Sequence, residues 1–304
     1  MAKDNKTPAK PSAGRDSSRI SKPQSESQRI VRVFFGRKIA VFGLVIIVIL
    51  ILTAIFAPQL APYEPNKMSL EEKLLQPTSR HLLGTDSLGR DTLSRVIYGT
   101  RPSLMVGIGA VGLAALIGGG LGLIAAYSGG AIYTIIMRLT DALMATPMIL
   151  NALIITSVLG GGLKNVIIAL SVGMMSGQCR MMCGQALTIQ QNDYILATRS
   201  MGASALRVML RHILPNAFPP ILVMITIGLG TTILAEAGLS FLGLGIAPPQ
   251  PAWGGMVNDG YKYLLTNPVL SFAPGIAIGL VVFGFNMMGD GLRDSLDPRL
   301  RGLL

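Results

Sequence analysis

Cys179 and Cys183 stand four residues apart, with methionines at 174, 175, 181 and 182 around them, a pattern that would suit a soft metal ion. No histidine or carboxylate lies close in sequence to complete such a site, so the pair reads as packing. Glu236 is the one carboxylate deep in an apolar stretch, about 18 residues or 27 Å from its start at 1.5 Å per residue. It is a candidate for lining a pathway or for a subunit interface, as is Asn286 in the last apolar stretch. Arg138 and Asp141 are spaced i,i+3 and read as a local ion pair or headgroup anchor. These groups do not form the chain of midplane acids that a proton-driven carrier needs. The phosphate-cradling run G-x-x-x-x-G-K-[ST] is absent from the sequence, so an ATP-driven process would draw its energy from another chain. Neither a cofactor nor a metal is expected.

The elements that position these residues are apolar and long. Half of the 304 residues are hydrophobic and only 13% are charged, yet the net charge is +11, and the mean hydropathy is +0.55. A nucleic-acid binder would pair such basicity with a polar surface. Uncharged runs of about 20 residues match a hydrocarbon core of roughly 30 Å. The first covers Ile39–Ala57, too long and too far from the start for a cleaved signal peptide. A second ends near Tyr127, a third runs from Arg138 to the glycines at 160–162, and a fourth follows Lys164, with Arg180 placed at its cytoplasmic end. The fifth covers Phe218–Leu239 and the sixth Phe272–Gly289, which makes an all-α membrane protein of six spans. With both termini cytoplasmic, 18 of the 26 Lys and Arg fall inside, as the positive-inside rule favours.

Residues 1–28 lack aromatics and are rich in Lys, Ser and Pro, so they are expected to be a disordered cytoplasmic tail. The first span then occupies 29–58, an extracytoplasmic segment 59–101, the membrane core 102–292 and a cytoplasmic tail 293–304. Gly118/Gly122, Gly173/Gly177 and Gly275/Gly279 are small-xxx-small pairs that permit close helix approach. Trp253, beside the Pro-rich 248–251 stretch, reads equally as an interfacial aromatic or as a contact for a binding protein.

The cytoplasmic loop 188–215 carries the most specific pattern. Asn192 or Asp193 can cap a short helix that Gly202 breaks, and Ser204 can cap a second that is expected to end before Pro215. Two short amphipathic helices meeting at a glycine leave an apolar ridge that needs something docked on it.

The run Gly202-Ala203-Ser204, Leu206-Arg207 and Arg211-His212-Ile213-Leu214-Pro215-Asn216-Ala217 resembles the coupling loop of permease subunits of ABC importers, in the dipeptide/oligopeptide/nickel branch. Leu83-Gly84-Thr85-Asp86-Ser87-Leu88-Gly89-Arg90-Asp91, Leu239–Gly245 with Pro248-Pro249 and Trp253-Gly254, and Gly289–Asp294 with Leu296–Leu300 agree with it. The likeness covers roughly residues 30–301 and is strongest to the C-type member of the permease pair. It implies a type I (MetI-like) core of five helices after an extra N-terminal one. It also implies a second permease, two ATPase subunits, an extracytoplasmic binding protein, the inner membrane as location and peptides as substrate, with nickel complexes and glutathione served by near relatives. Ile195, Leu196, Ala197, Thr198, Gly202, Ala203, Ser204, Leu206, Arg207, Leu214 and Pro215 fall in the ATPase-coupling loop, with Arg199 and Arg207 as polar anchors. One position departs: Leu196 stands where the motif usually has glutamate. The competing class is an ion-coupled carrier that works alone.

Overall fold

The computed structural model describes residues 26–296. The tail expected to be disordered therefore lies outside the described residues up to position 25, as does the C-terminal stretch from Asp297. The chain runs through α1 (Glu26–Gly36), α2 (Lys38–Ile55), α3 (Ala57–Leu60), α4 (Thr92–Ser128), α5 (Gly130–Met144), α6 (Met148–Leu159) and α7 (Leu163–Gln190). It continues with α8 (Asp193–Ser200), α9 (Ala205–Val208), a π-helical turn (Met209–Ile213), α10 (Leu214–Phe241), α11 (Trp253–Tyr261) and α12 (Val269–Leu296).

Five helical stretches are long and apolar enough to cross a membrane by themselves: α2, α4, α7, the α9–α10 run from Ala205 to Phe241, and α12. The third expected span is not a straight helix. It is the pair α5 and α6, bent by 89°. The bend falls at Ala145-Thr146-Pro147, because the proline ring disfavours helical geometry in the residue before it. The stretch read as one span over 29–58 is also divided. An amphipathic α1 precedes α2, and the break is at Arg37, whose backbone is extended (φ −94°, ψ 104°).

Small residues set the packing. Gly43 of α2 lies so close to Met287 and Gly284 of α12 that a Cβ would come within 2.7 Å of Met287 and 2.8 Å of a backbone oxygen. Ala40, Gly43 and Ile47 form the buried face of α2, while Ile39, Phe42, Val48 and Leu52 remain exposed around it, as on a helix that faces lipid. Arg37 fastens the joint with a 2.5 Å ion pair to Asp294 of α12. Gly118 and Gly122 of α4 do the same against α7. A Cβ there would sit 2.3 Å from the Met175 carbonyl oxygen and 2.2 Å from that of Cys179. The matching order of contacts, Gly109 on Ile167 and Gly122 on Cys179, shows that α4 and α7 run parallel.

The Leu83–Asp91 motif is a staple at the end of the bundle where α4 begins. Asp91 caps α4, accepting from the Ser94 N–H at 2.8 Å and the Ser94 hydroxyl at 2.7 Å. Asp86 accepts from the Leu88 and Arg90 N–H groups and from Arg90 Nε at 2.6 Å. His81 Nδ1 lies 2.9 Å from Asp91, under the ring of Tyr63. Gly89 has φ +74°, and Ser69 backbone fills the place of its missing Cβ, so glycine is required there.

Trp253 belongs to the same end and is neither an interfacial aromatic nor a docking contact. It is 1% exposed, lies on Gly99 of α4 and donates from Nε1 to the Val96 carbonyl at 2.9 Å. Gly254 beside it approaches the Ala237 backbone of α10. The Leu239–Gly245 motif turns the chain after α10: Leu244 N–H bonds to Leu239 O, Gly243 takes φ +82°, and the Ser240 hydroxyl accepts from Ile246 N–H.

Candidate functional site

At the opposite end of the bundle, α7 passes into the 191–213 loop. Gln190 secures the exit: its Nε2 donates to the Ala126 carbonyl at the end of α4, and its Oε1 accepts from Arg199 at 2.8 Å. The Arg199 guanidinium also covers the ring of Tyr127, 4.8 Å from its centroid. Arg199, expected as an anchor for a partner, is therefore spent within the chain. Asn192 precedes α8, but its side chain bonds backwards to Ile189 O and does not cap. Gly202 takes φ +79° and its N–H bonds to Arg199 O, which turns the chain into α9.

Ile195 is fully buried against Ile189, Val208, Ile213, Ala217 and Ile221, so it holds the loop to the bundle and presents nothing outward. Its neighbours do the reverse. Leu196 is 53% exposed, Met201 80% and Leu206 62%, and Ala197, Gly202, Ser204, Arg207 and Pro215 are exposed with them. Thr198, Ala203 and Leu214 are half-buried. The apolar ridge is thus Leu196, Met201 and Leu206, rigidly backed by an apolar core. Burying a side chain of this size fully is worth about 1.5–3 kcal/mol.

The second loop helix does not end before Pro215. Helix α9 runs through the π turn into α10 as one continuous stretch from Ala205 to Phe241. Proline has no N–H and its ring crowds the carbonyl four residues back, and the widened π turn just before it gives the ring room. Asn216 stitches the joint, donating to His212 O at 2.6 Å and to the Tyr194 hydroxyl at 3.3 Å.

Above this loop, a cavity of about 1210 Å³ opens between α1, α7, α10 and α12. One stripe of α7 lines it, Met174, Gln178, Met181 and Gln185, at the helical spacing i, i+4, i+7, i+11. Asn216, Pro220, Val223, Ile227 and Thr231 form the facing stripe of α10, and Arg29 and Arg293 stand at the α1 and α12 walls. Sequence reading missed this cavity, because a stripe one residue wide on each of two helices is diluted among equally apolar core positions. The signal that was present is the pair of glutamines seven residues apart inside an otherwise apolar helix.

The two candidates drawn from polarity alone lie elsewhere. Glu236 is fully buried, accepts from the Ser240 hydroxyl at 2.6 Å and does not line the cavity. Asn286 is half-buried on α12 and also off the lining. Cys179 and Cys183 lie in the α4–α7 seam, where Cys179 Sγ accepts from the Thr140 hydroxyl at 3.6 Å. Arg180 is not at a helix end. It stands ten residues before Gln190 and donates to Asp141 of α5, which Arg138 approaches at 4.0 Å. The expected local pair is in fact a triad joining two helices.

Residues 118–302 match the family model described as the binding-protein-dependent transport system inner membrane component, and residues 25–77 match the N-terminal TM domain of oligopeptide transport permease C. The dipeptide transport system permease protein DppC of Alkalihalophilus pseudofirmus is 42% identical over 264 residues, 87% of either chain. The oligopeptide transport system permease protein OppC of Bacillus subtilis is 40% identical and spans 97% of this chain and 96% of its own. The glutathione transport system permease protein GsiD of Pectobacterium atrosepticum is 41% identical, over 89% of this chain and 90% of that one. Among solved structures, an inward-facing conformation of the MetNI methionine ABC transporter superposes with a TM-score of 0.55 at 20% identity, covering 67% of this chain and 96% of that one, a likeness of fold. With more than half of its length under one family model and relatives at about 40% identity along most of the rest, the chain belongs to the inner membrane components of binding-protein-dependent transport systems.

Proposed function

We propose that this chain is one of two permease subunits of an ATP-driven importer that passes di- and oligopeptides, delivered by a binding protein, across the inner membrane. The observation that carries the reading is the 193–215 loop, a rigid knob whose apolar ridge is turned outward and whose root is tied to both α4 and α10. In this reading two ATPase subunits grip the ridge of each permease, and their closure rocks the two permeases between inward- and outward-facing states. The loop end is cytoplasmic, with both termini on the same side, and the Trp253 end faces the binding protein. The similarity to dipeptide and oligopeptide permeases supports peptides as the substrate class. Glutathione is itself a tripeptide and belongs in the same assay.

Reconstitution tests the reading. The purified importer in liposomes, with binding protein and ATP, should accumulate radiolabelled dipeptide, and the Gly202→Asp variant should insert normally yet lose uptake. That substitution meets no neighbouring atoms, but it strains a positive φ and sets a charge on the ridge. Uptake by this chain alone, without ATPases or ATP, would replace the importer by a self-sufficient carrier.

A further inference from the structure

The apolar sector of α1 is wider than the protein covers. At about 100° per residue, Val33, Ile30, Phe34, Val31 and Phe35 follow one another around the helix over about 200°. Ile30, Val33 and Phe34 are half-buried, and Phe34 lies against Gly291 of α12. Val31 and Phe35 are left 55% and 58% exposed. The rest of the helix surface is polar, with Gln28, Arg32 and Arg29 side by side. From Gln28 to Lys38 the chain has four cations, Arg29, Arg32, Arg37 and Lys38, and no acid. Asp294 of α12 holds Arg37, while Arg32 and Lys38 are exposed. Helix α2 has 18 residues, a length of about 27 Å, and by itself uses up a hydrocarbon core of roughly 30 Å. That leaves α1, beside the last turns of α12, at headgroup level on the loop end.

We infer that α1 is an interfacial helix that binds the anionic lipid of the leaflet at the loop end, with Val31 and Phe35 at the acyl boundary and Arg32 and Lys38 on the phosphates. Along the chain Val31 and Phe35 lead into Ile39 and Phe42 of α2, and all four are more than half exposed. The uncovered strip of α1 is thus continuous with the surface that α2 turns to lipid, and a protein seated on it would have to displace lipid from α2 as well. An apolar strip flanked by cations matches an anionic leaflet, which offers acyl chains on one side and phosphates on the other. The stems of Arg32 and Lys38 can lie along the apolar boundary while their heads reach the phosphate layer.

The test places the full-length chain, with the subunits that accompany it, in nanodiscs containing phosphatidylglycerol. A fluorophore is attached at Val31→Cys, Phe35→Cys, Gln28→Cys or Phe42→Cys; Cys179 and Cys183 are buried, and the unsubstituted chain supplies their background. Lipid brominated along its acyl chains should quench the labels at positions 31 and 35 well above the label at position 28, with position 42 as the lipid-exposed reference. At Phe35→Cys, brominated phosphatidylglycerol should outcompete brominated phosphatidylcholine. Arg32→Gln should cut that preference by about fivefold, the worth of one basic residue at an anionic surface, and Arg32→Lys should keep it. Labels at positions 31 and 35 that neither bromolipid nor aqueous iodide reaches would put a protein partner on the strip and overturn the assignment, as would labels open to iodide alone. Equal quenching by the two lipids, or a preference indifferent to Arg32→Gln, would overturn the binding of anionic headgroups.

Discussion

Ile195 and Leu196 are neighbours in sequence with opposite fates. Ile195 is sealed in the core under the loop, and Leu196 is half out in water at the position where the resembling coupling loops carry glutamate. Ile195→Ala should therefore destabilise the protein by about 2–5 kcal/mol, the cost of a large-to-small change in a core. Leu196→Glu should leave thermal unfolding in detergent within the range of ordinary surface changes. Its effect should appear in coupling: under the proposed function ATP-driven uptake falls, because a charge replaces an apolar side chain on the exposed ridge. A rise in uptake would instead mean that the partner retains a seat for a carboxylate. The loop could be found from residue types, since Gly202 and the spacing to Pro215 are explicit in the chain. Which of two adjacent aliphatic residues points inward could not, because the packing of Ile195 is decided by Val208 and Ile213 across the glycine turn. Trp253 shows the same limit, as its partners Gly99 and Val96 lie more than 150 residues upstream.

Helices are ranked by what their glycines meet. Gly122 faces backbone of α7, which cannot step aside, and Gly275 and Gly279 of α12 face nothing within 4 Å in this chain. Gly122→Val should thus cut the yield of folded protein severely, read by size-exclusion of a fluorescent fusion, while Gly275→Ala should leave the isolated subunit unaltered. The three small-xxx-small pairs look alike in sequence, and only the neighbour distinguishes them. Proline shows another way in which local rules are overruled. Pro147 breaks the third span, which the sequence reading carried straight through it, whereas Pro215, expected to stop a helix, sits inside a continuous one just after five residues of π turn. A rule read from one residue sees the clash and not the widening that removes it.

At the scale of the molecule, hydrophobic length foretold the number of crossings well, since a hydrocarbon core sets a fixed minimum run. It could not foretell the 89° bend of the third crossing, nor a cavity whose walls come from α1, α7, α10 and α12. The proposed orientation is open to a direct measurement. Leu265 is 99% exposed at the Trp253 end and Met201 80% exposed at the loop end, and both native cysteines are buried. In intact spheroplasts a membrane-impermeant maleimide should label Leu265→Cys and not Met201→Cys, and permeabilisation should expose Met201→Cys. The reverse pattern would turn the +11 chain upside down relative to the positive-inside reading.

The continuity of α9, the π turn and α10 has a mechanical side. Thirty-seven helical residues at 1.5 Å each give a length of about 55 Å. One end carries Leu206 of the ridge, and the shaft, with Pro219 and Pro220 inside it, forms one wall of the cavity. Turning as one body about one end, such a length would displace the other by about 5 Å for a tilt of about 5°, which links the width of the cavity to the position of the ridge. If the loop couples to ATPases as proposed, a flexible glycine-serine insert after Val208, inside the continuous helix, should leave ATP hydrolysis in place while uptake falls.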